Sequence, residues 1–532
     1  MSCPNKFWIY GPPASGKTTL GKALARLLGV RFVDTDEQIS RKVGMPLAEF
    51  FSARGEAAFR AEETAVLKSV AAAPEEAVVA LGGGALLNPE NRAIVEAAGK
   101  VLVLDASPEV VLARAERQAG ERPLVDGASP KARAARMSAL LKQRAAHYAS
   151  FPTRISTDNQ TPEDLAWQAA ALFGRFQIRS MRSARAPSGS TVRVFRGALG
   201  SVGECLTGMG TGGKVALVGD ETVMALYGEK VRSSLKEAGL AAKVFTFPAG
   251  EQSKNVETAR RLWEALAEEG LERGDAVLAL GGGVSTDLGG FVAATYMRGV
   301  KWVALPTSLL GMVDAAIGGK TGIDLPQGKN LVGAFFPPIL VLADPNALQT
   351  LPDVEFRNGM AEFIKHGVIG DPQIFALAKT ARREEVEDAV SRAMAVKIRV
   401  VESDPYEQGI RASLNLGHTI GHGVEAASGY RLRHGEAVSI GMVGEAMLAE
   451  SLGLASRGLA AEIADALQRW NLPVAIPAWL PAESVWRAMQ VDKKKAAGAL
   501  KFALPKAIGE VEVGISAPPD KVKEVLGLLS SE

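Results

Sequence analysis

The stretch from Lys6 to Leu28 constrains this chain most. An apolar run, Phe7-Trp-Ile-Tyr10, breaks at Gly11-Pro-Pro-Ala-Ser-Gly-Lys-Thr18, and apolar residues then recur at Leu20, Leu24, Leu27 and Leu28. A short apolar run ended by glycine and proline reads as a buried strand, and the later spacing reads as one helix face. Strand, G-x-x-x-x-G-K-T, then helix is the setting of a phosphate-binding loop. Backbone N–H groups of the loop, with Gly11, Gly16 and Thr19 in contact, would surround the phosphates of a nucleotide. Lys17 would neutralise charge at the β/γ positions and Thr18 would hold Mg2+. A segment of this kind belongs to an α/β domain with a parallel sheet.

The next signals lie where open α/β sheets bind ligands, at strand ends and helix starts. They are Asp34-Thr-Asp36, Gly55-Glu56 with Phe59-Arg60, and Val78-Val-Ala-Leu-Gly-Gly-Gly84. A lone D-x-D or glycine triplet usually marks a turn. Their succession behind a phosphate loop is what carries weight. With Arg122-Pro-Leu124, Arg144 and Tyr148 added, residues 1–176 resemble shikimate kinase in motif order and spacing. The resemblance implies a parallel-sheet domain of the phosphate-loop NTPase type that uses ATP with Mg2+. Asp36 would contact the hydroxyls of shikimate and act as base. Arg60 and Arg144 would hold its carboxylate and Gly82, Gly83 and Gly84 would line its pocket. Arg122 would neutralise the transferring phosphate from a mobile lid, and Arg114 would lie against adenine. Paired arginines suit a carboxylate because their planar forks bond it bidentately. Pro13-Ala14 departs from the family, which often has a glycine there. His147, between Arg144 and Tyr148, reads as a helix residue without a catalytic role.

A length of 532 residues exceeds one core and suggests two to four domains. The net charge of +2 points neither to nucleic acid nor to an anionic membrane, so any anionic ligand must be held by local basic groups. Cys3 and Cys205, the two cysteines, argue for a reducing compartment. No apolar run reaches the roughly 18 residues of a membrane span, and no basic, cleavable leader is evident; a soluble, cytoplasmic protein is expected. After Phe173 the periodic pattern stops. Residues 177–190, including Arg179-Ser-Met-Arg-Ser-Ala-Arg185, show no apolar face and read as an interdomain linker.

From Thr191 an α/β pattern resumes, with strands expected at 214–220, 244–247, 276–280 and 302–305. Leu280-Gly-Gly-Gly-Val-Ser-Thr-Asp287 places glycines where a strand meets a helix, the position for close approach to a pyrophosphate. Lys320 and Lys329 stand in a Gly-rich region read as loops and would suit an anionic substrate. From Pro345 the pattern becomes helical, with strand signal only at 500–504. Of five histidines in the chain, His418, His422 and His434 crowd this part. His418 and His422, four apart, share a helix face and could share an ion or a substrate. Thr419 replaces the glutamate of an H-E-x-x-H peptidase, so peptide hydrolysis is not indicated.

Residues 191–532 resemble 3-dehydroquinate synthase nearly end to end. The motifs are Pro248-Ala-Gly-Glu-Gln-Ser-Lys254, Gly281-Gly-Gly-Val284 with Asp287-Leu-Gly-Gly290, Asp314 with Gly318-Gly-Lys-Thr321, Gly328-Lys-Asn330, Ala361-Glu362 with Lys365, Arg411 with Asn415 and His418, His422, and His434-Gly-Glu436. The resemblance implies a Rossmann-like NAD-binding α/β domain, 191–344, and a mostly α-helical metal- and substrate-binding domain, 345–532. Glu362, His418 and His434 would bind zinc or another divalent metal. Asp220, Glu251, Lys254, Gly282, Gly283, Val284, Asp287, Thr307, Ser308, Lys329 and Thr350 would hold NAD. Asp314, Lys320, Asn330, Lys365, Lys397, Arg411, Asn415 and His422 would surround a sugar phosphate, with Lys493 or Lys494 adding charge. The resemblance also implies a homodimer, because the family's arginine matching Arg298 reaches the neighbouring subunit's site, and Ser285-Thr286 departs from the usual Ile-Gly. His366 reads as a packing or surface residue.

Together the two resemblances imply two steps of the shikimate route to aromatic amino acids, phosphorylation of shikimate and conversion of 3-deoxy-arabino-heptulosonate 7-phosphate to 3-dehydroquinate. The competing readings are a metal-dependent polyol dehydrogenase in the second part and a nucleotide-sensing module in the first. A neutral polyol has no use for Lys320, Lys329, Lys365, Lys397 and Arg411 together. A sensor has no use for Asp34, Asp36, Arg122 and Arg144 beside Lys17.

Overall fold

Five parallel strands carry the first part of the chain: β1 (Lys6–Tyr10), β2 (Arg31–Asp34), β3 (Ala77–Ala80), β4 (Gly99–Asp105) and β5 (Arg154–Ser156). In this computed structural model they lie in the order β2-β3-β1-β4-β5, so the chain crosses β1 on going from β3 to β4. The sheet order therefore switches beside β1, and ligands bind outside the carboxyl ends of strands at such a point. Every residue of β1 is buried, as expected of a strand with neighbours on both edges and helices on both faces. Trp8, Tyr10, Val79 and Val103 form one core with Tyr148 and Phe151.

The structure describes residues 5–116, 130–158, 160–211, 213–495 and 500–530. It divides into two compact units, Ser2–Arg175 and Phe176–Glu532. The second contains β6 (Arg175–Ile178) through most of its length, β7 (Ser190–Val194), β8 (Lys214–Asp220), β9 (Ala241–Phe247), β10 (Ala276–Gly281) and β11 (Lys301–Pro306). β12 (Lys320–Leu325) and β13 (Gly328–Phe335) follow, then β14 (Leu340–Ala343). The seven-stranded sheet runs β6-β7-β14-β11-β10-β8-β9. β8 leads outward to β9 while β10 leads the other way to β11, so its switch point lies between β8 and β10.

Two regions differ from the sequence reading. Residues 177–190 are packed into the second unit: Met181 and Ala186 are buried. The N–H groups of Arg179 and Ser180 donate to Glu402 at 2.7 and 2.9 Å, and Arg185 Nε donates to the Gly299 carbonyl at 2.9 Å. Those partners lie more than a hundred residues away, which local composition cannot report. Lys320 and Lys329 sit in β12 and β13, an antiparallel ribbon, where loops were expected.

The rest of this unit is helical, as the periodicity indicates, and includes Asp353–Gly370, Arg383–Ser403, His418–Ala427, His434–Ser451 and Ala482–Lys495. A hairpin of β15 (Lys501–Ala507) and β16 (Glu510–Ser516) adds one strand beyond the one expected. Among the described residues no helix is long and apolar enough to cross a membrane.

Candidate active sites

A cavity of about 1260 Å³ opens over the carboxyl ends of β1 and β3, lined by the phosphate loop, Asp36, Arg60, Gly82–Gly84, Arg114 and Arg144. The loop is shaped by backbone restraint. Gly11 and Gly16 have φ of 138° and 97°, and Ala14 takes the left-handed region at φ 59°, which is uncommon for a residue with a Cβ. Gly16 starts the helix Lys17–Leu28 without a side-chain cap, so its first N–H groups face the cavity as an anion site. Lys17 Nζ donates to the carbonyls of Gly11 and Pro12 at 3.0 and 2.7 Å. Thr18 Oγ1 donates to Asp34 Oδ2 at 2.9 Å. Asp34 also caps the next helix through the Asp36 N–H.

The glycine triplet is a site of close approach. A Cβ on Gly82 would lie 3.0 Å from Asp36 Oδ1, and one on Gly84 would lie 3.2 Å from both Arg60 Nη2 and Arg144 Nη1. Three residues far apart in sequence thus converge on one strip of backbone. Its Gly83 carbonyl accepts from Tyr148 at 2.7 Å, Arg144 at 3.2 Å and Tyr10 at 3.3 Å. His147 is part of this network, with Nε2 3.2 Å from Tyr10 Oη. Arg60 is placed by a break at Gly55 (φ 78°) in the segment Leu47–Ala72 and held by Glu63 at 2.7 Å. Glu63 is buried, and desolvation pushes its carboxyl above the ordinary range despite Arg60. Sequence reading missed Glu63; its spacing of three from Arg60 was the available signal. Arg114 donates to Thr157 Oγ1 at 2.9 Å and lies beside Gly16. Arg122 lies outside the described residues.

In the second unit, β10 ends at Gly281 (φ 148°) and Gly282 starts the helix Gly283–Thr295 without a side-chain cap. A Cβ on Gly282 would press on Ser308 Oγ at 3.2 Å. Asp220, at the end of β8, caps the helix Glu221–Glu237 through the Val223 N–H and lies 3.4 Å from Ser285 Oγ. The departure at Ser285 thus places a hydroxyl on Asp220. Thr307 is buried in the same rim, its N–H on the Gly281 carbonyl. Val284 opens the helix after Gly283. Lys254 Nζ gathers Glu251 at 2.9 Å, Asn330 Oδ1 at 2.9 Å and Asp287 at 3.4 Å. Asn330, expected near the sugar phosphate, therefore joins residues expected at the dinucleotide. Burial pushes the Asp287 carboxyl up to about 7 against the pull of Lys254. Thr350 bonds Tyr227, and Arg298 is exposed with φ 64°.

The helix Asp353–Gly370 brings Glu362, fully buried, to face two imidazoles. Glu362 Oε1 is 3.7 Å from His418 Nε2 and 3.4 Å from His434 Nε2. His418 Nδ1 is 3.1 Å from the Leu416 carbonyl and His434 Nδ1 is 3.6 Å from Glu425 Oε2. Each ring thus has its Nδ1 side turned to an acceptor and its Nε2 turned inward, the arrangement of a metal-ligating histidine. Neither Glu362 oxygen makes a well-formed hydrogen bond, although Lys365 is in ion-pair contact. Burial would raise that carboxyl, yet Lys365 and the imidazoles hold it well below its ordinary value. Burial opposes protonation of His434 too, but Glu362 and Glu425 bring it to about 9. A buried carboxylate facing two inward imidazoles fits a divalent cation. His418, His422 and His434 can also bring one ligand atom each within 4.8 Å of one another, so spacing and tertiary geometry both leave His422 at the cluster.

Basic groups line the same region. Lys365 Nζ donates to the Leu414 carbonyl at 2.8 Å, and buried Lys397 donates to Asp314 Oδ1 at 2.6 Å. Arg411 is buried, bonding the Pro405 and Gly318 carbonyls. Lys320 Nζ meets Glu407 Oε2 at 2.6 Å and Asn415 Nδ2 donates to Glu407 Oε1 at 3.0 Å. Glu407, missed in the sequence, therefore stands between two groups expected to hold substrate. Asp314 sits in a π-helical turn, Gly311–Ala315, a distortion frequent at functional sites. Lys329 pairs with Glu425 at 2.9 Å. Lys493 and Lys494 lie in the helix Ala482–Lys495, and their side chains are outside the described set. His366, read as packing or surface, is completely buried, with neither ring nitrogen hydrogen-bonded.

The fold and these groups define a phosphate-loop phosphotransferase in one unit and a dinucleotide- and metal-dependent enzyme in the other. Residues 13–172 match the shikimate kinase family. Residues 244–358 and 359–495 match the N-terminal and C-terminal parts of 3-dehydroquinate synthase. The 3-dehydroquinate synthase of Nostoc punctiforme is 44% identical over 338 residues, 62% of this chain and 93% of that one. The solved structure of a 2-epi-5-epi-valiolone synthase from Streptomyces hygroscopicus, with NAD+ and Zn2+ bound, is 29% identical with a TM-score of 0.60 over 65% of this chain and 98% of that one. A shikimate kinase from Acinetobacter baumannii in complex with shikimate is 34% identical over 32% of this chain and 92% of that one, with a TM-score of 0.30. The chain belongs to the 3-dehydroquinate synthase family through its second unit and carries a shikimate kinase domain in its first. It is an enzyme with both activities, joining two steps of the shikimate pathway in one polypeptide.

Proposed function

We propose that the residues gathered in these two sites perform the two reactions. In the first unit the loop Gly11–Thr19 would hold ATP with Mg2+, Lys17 neutralising the β/γ phosphates, Thr18 serving the metal and Arg114 the adenine. Asp36 takes the proton of the attacking hydroxyl of shikimate, while Arg60 and Arg144 fix its carboxylate against Gly82–Gly84. Little covalent chemistry is asked of the protein; positioning and charge neutralisation suffice.

In the second unit the substrate is the heptulosonate 7-phosphate. The observation that carries the reading is buried Glu362 facing His418 and His434 beside a basic wall of buried Lys365, Lys397 and Arg411. Glu362, His418 and His434 would hold zinc, and zinc when bound supplies Lewis acidity to a substrate hydroxyl. Asp220, Glu251, Lys254, Gly282, Gly283, Asp287, Thr307 and Ser308 would hold NAD, which when bound accepts and later returns a hydride. The basic wall binds the anionic substrate, which must share Lys320 and Asn415 with Glu407. His422, on the same helix face as His418, moves protons at the substrate. A polyol dehydrogenase would consume NAD stoichiometrically and has no use for this wall. We place the protein in the cytoplasm as a homodimer, with exposed Arg298 reaching a second copy.

The test is phosphate release from the heptulosonate with catalytic NAD+, before and after chelation. Loss on chelation and recovery on added zinc are expected. Release indifferent to both NAD+ and metal would remove the synthase site.

A further inference from the structure

The helix His418–Ala427 begins against the backbone of the helix His434–Ser451. Gly417 is left-handed, and a Cβ there would fall 2.6 Å from Met442 Cγ and 2.8 Å from the Val438 carbonyl oxygen. A Cβ on Gly441 would fall 1.9 Å from the Gly417 carbonyl oxygen. The helices that bear His418 and His434 therefore meet backbone to backbone, and the first N–H groups of one are shut against the other. Gly417 offers no side chain to cap them, and a buried N–H without an acceptor costs as much as a lost hydrogen bond.

Glu445 supplies the acceptors. Its Oε2 accepts from the Gly417 N–H at 2.6 Å and its Oε1 from the Ile420 N–H at 3.2 Å. The side chain is completely buried. It lies about three turns along the helix from His434 at 3.6 residues per turn, hence on the same face. We propose that Glu445 is a positioning residue for the metal, fixing the start of the His418 helix against the His434 helix and so setting the spacing of the two imidazoles. The proposal rests on the reading of His418 and His434 as metal ligands. His418 Nδ1 faces the Leu416 carbonyl, one residue before the capped Gly417, so the ring and the helix start move together. If the first turn frays, Nε2 leaves its place beside Glu362.

Glu445→Gln tests this in the full-length protein, because the amide keeps the shape but turns a donor toward an N–H. Zinc affinity is measured by competition with a chelating dye, and unfolding temperature is measured on the metal-free protein. The expected result is a zinc dissociation constant about 10- to 100-fold higher, with synthase activity recovering at excess zinc. Glu445→Asp keeps the two carboxyl oxygens and withdraws them by one methylene; a smaller loss of zinc affinity is expected, and it serves if the glutamine variant does not fold. A dissociation constant within twofold of wild type in Glu445→Gln, or in Glu445→Asp where the glutamine variant does not fold, overturns the proposal, whatever happens to the unfolding temperature. His418→Ala is measured alongside. Wild-type affinity there would defeat the ligand reading itself, whereas loss there with retention in Glu445→Gln would defeat only the role of Glu445.

Discussion

Arg144→Ala isolates one half of the carboxylate clamp in the kinase unit. Gly84 is the reference point: a methyl group there would sit 3.2 Å from a guanidinium nitrogen of Arg60 and 3.2 Å from one of Arg144. Two forks thus aim at one spot, and a carboxylate placed there takes charge-assisted bonds from both. Arg60 is additionally held by Glu63 and Glu56, so it stays when Arg144 is removed. Gly83 also stays, because Tyr148 still donates to its carbonyl at 2.7 Å. Losing hydrogen bonds to a charged partner costs about 1.5–3 kcal/mol, which is about 10- to 150-fold in kcat/KM at 1.36 kcal/mol per decade. The carboxylate does not react, so the loss falls on KM for shikimate while kcat holds. Arg144→Lys, a point charge without a fork, is expected to lie between. The assay is ADP release with shikimate varied and ATP saturating, with phosphate release from the heptulosonate as a control on the same sample. A KM within threefold of wild type, or a loss confined to kcat, would refute the clamp.

Lys17→Ala should lower shikimate phosphorylation by at least about 100-fold, since it removes a charge preorganised for the transferring phosphoryl group, and should leave phosphate release from the heptulosonate unchanged; intact phosphorylation would end the kinase assignment. His366→Phe should make the metal-free synthase unit less acid-sensitive. Burial, then Lys365, lowers the His366 imidazole to about 4, so the unfolded chain takes up its proton first as pH falls. Stability is lost between about pH 6.5 and 4, by about 3 kcal/mol for this group. Denaturant midpoints at pH 7 and pH 5 should converge in the phenylalanine variant, and parallel profiles in both proteins would refute the argument.

Much of the kinase site was legible because its chemistry lies at fixed offsets from strand ends. Gly11–Thr18 needed only a strand before and a helix after to be read as a phosphate site, and both are present. Glu63 was not legible, because an acidic residue three places from an arginine on a helix is ordinary until burial makes it a fixed partner. Glu407 escaped for the same reason: a glutamate in the loop after Ser403 carries no signal until Lys320 and Asn415 close on it.

By itself the sequence determined the two α/β patterns, the later change to helices, and the residue types that phosphate, dinucleotide and metal chemistry require. These are local properties, set by periodicity, glycine placement and side-chain donors. The tertiary structure decided which distant groups meet. Spacing alone favoured His418 and His422 as a pair; the fold keeps them together and adds the distant His434 and the buried Glu362, which faces both His418 and His434. It also turned the expected linker into a packed segment and Lys320 and Lys329 into a ribbon. The physical reason is common to all of these: desolvation and partnering depend on what the chain folds against, and a backbone N–H, a carboxylate or an imidazole carries no mark in the sequence of the neighbour that will satisfy it.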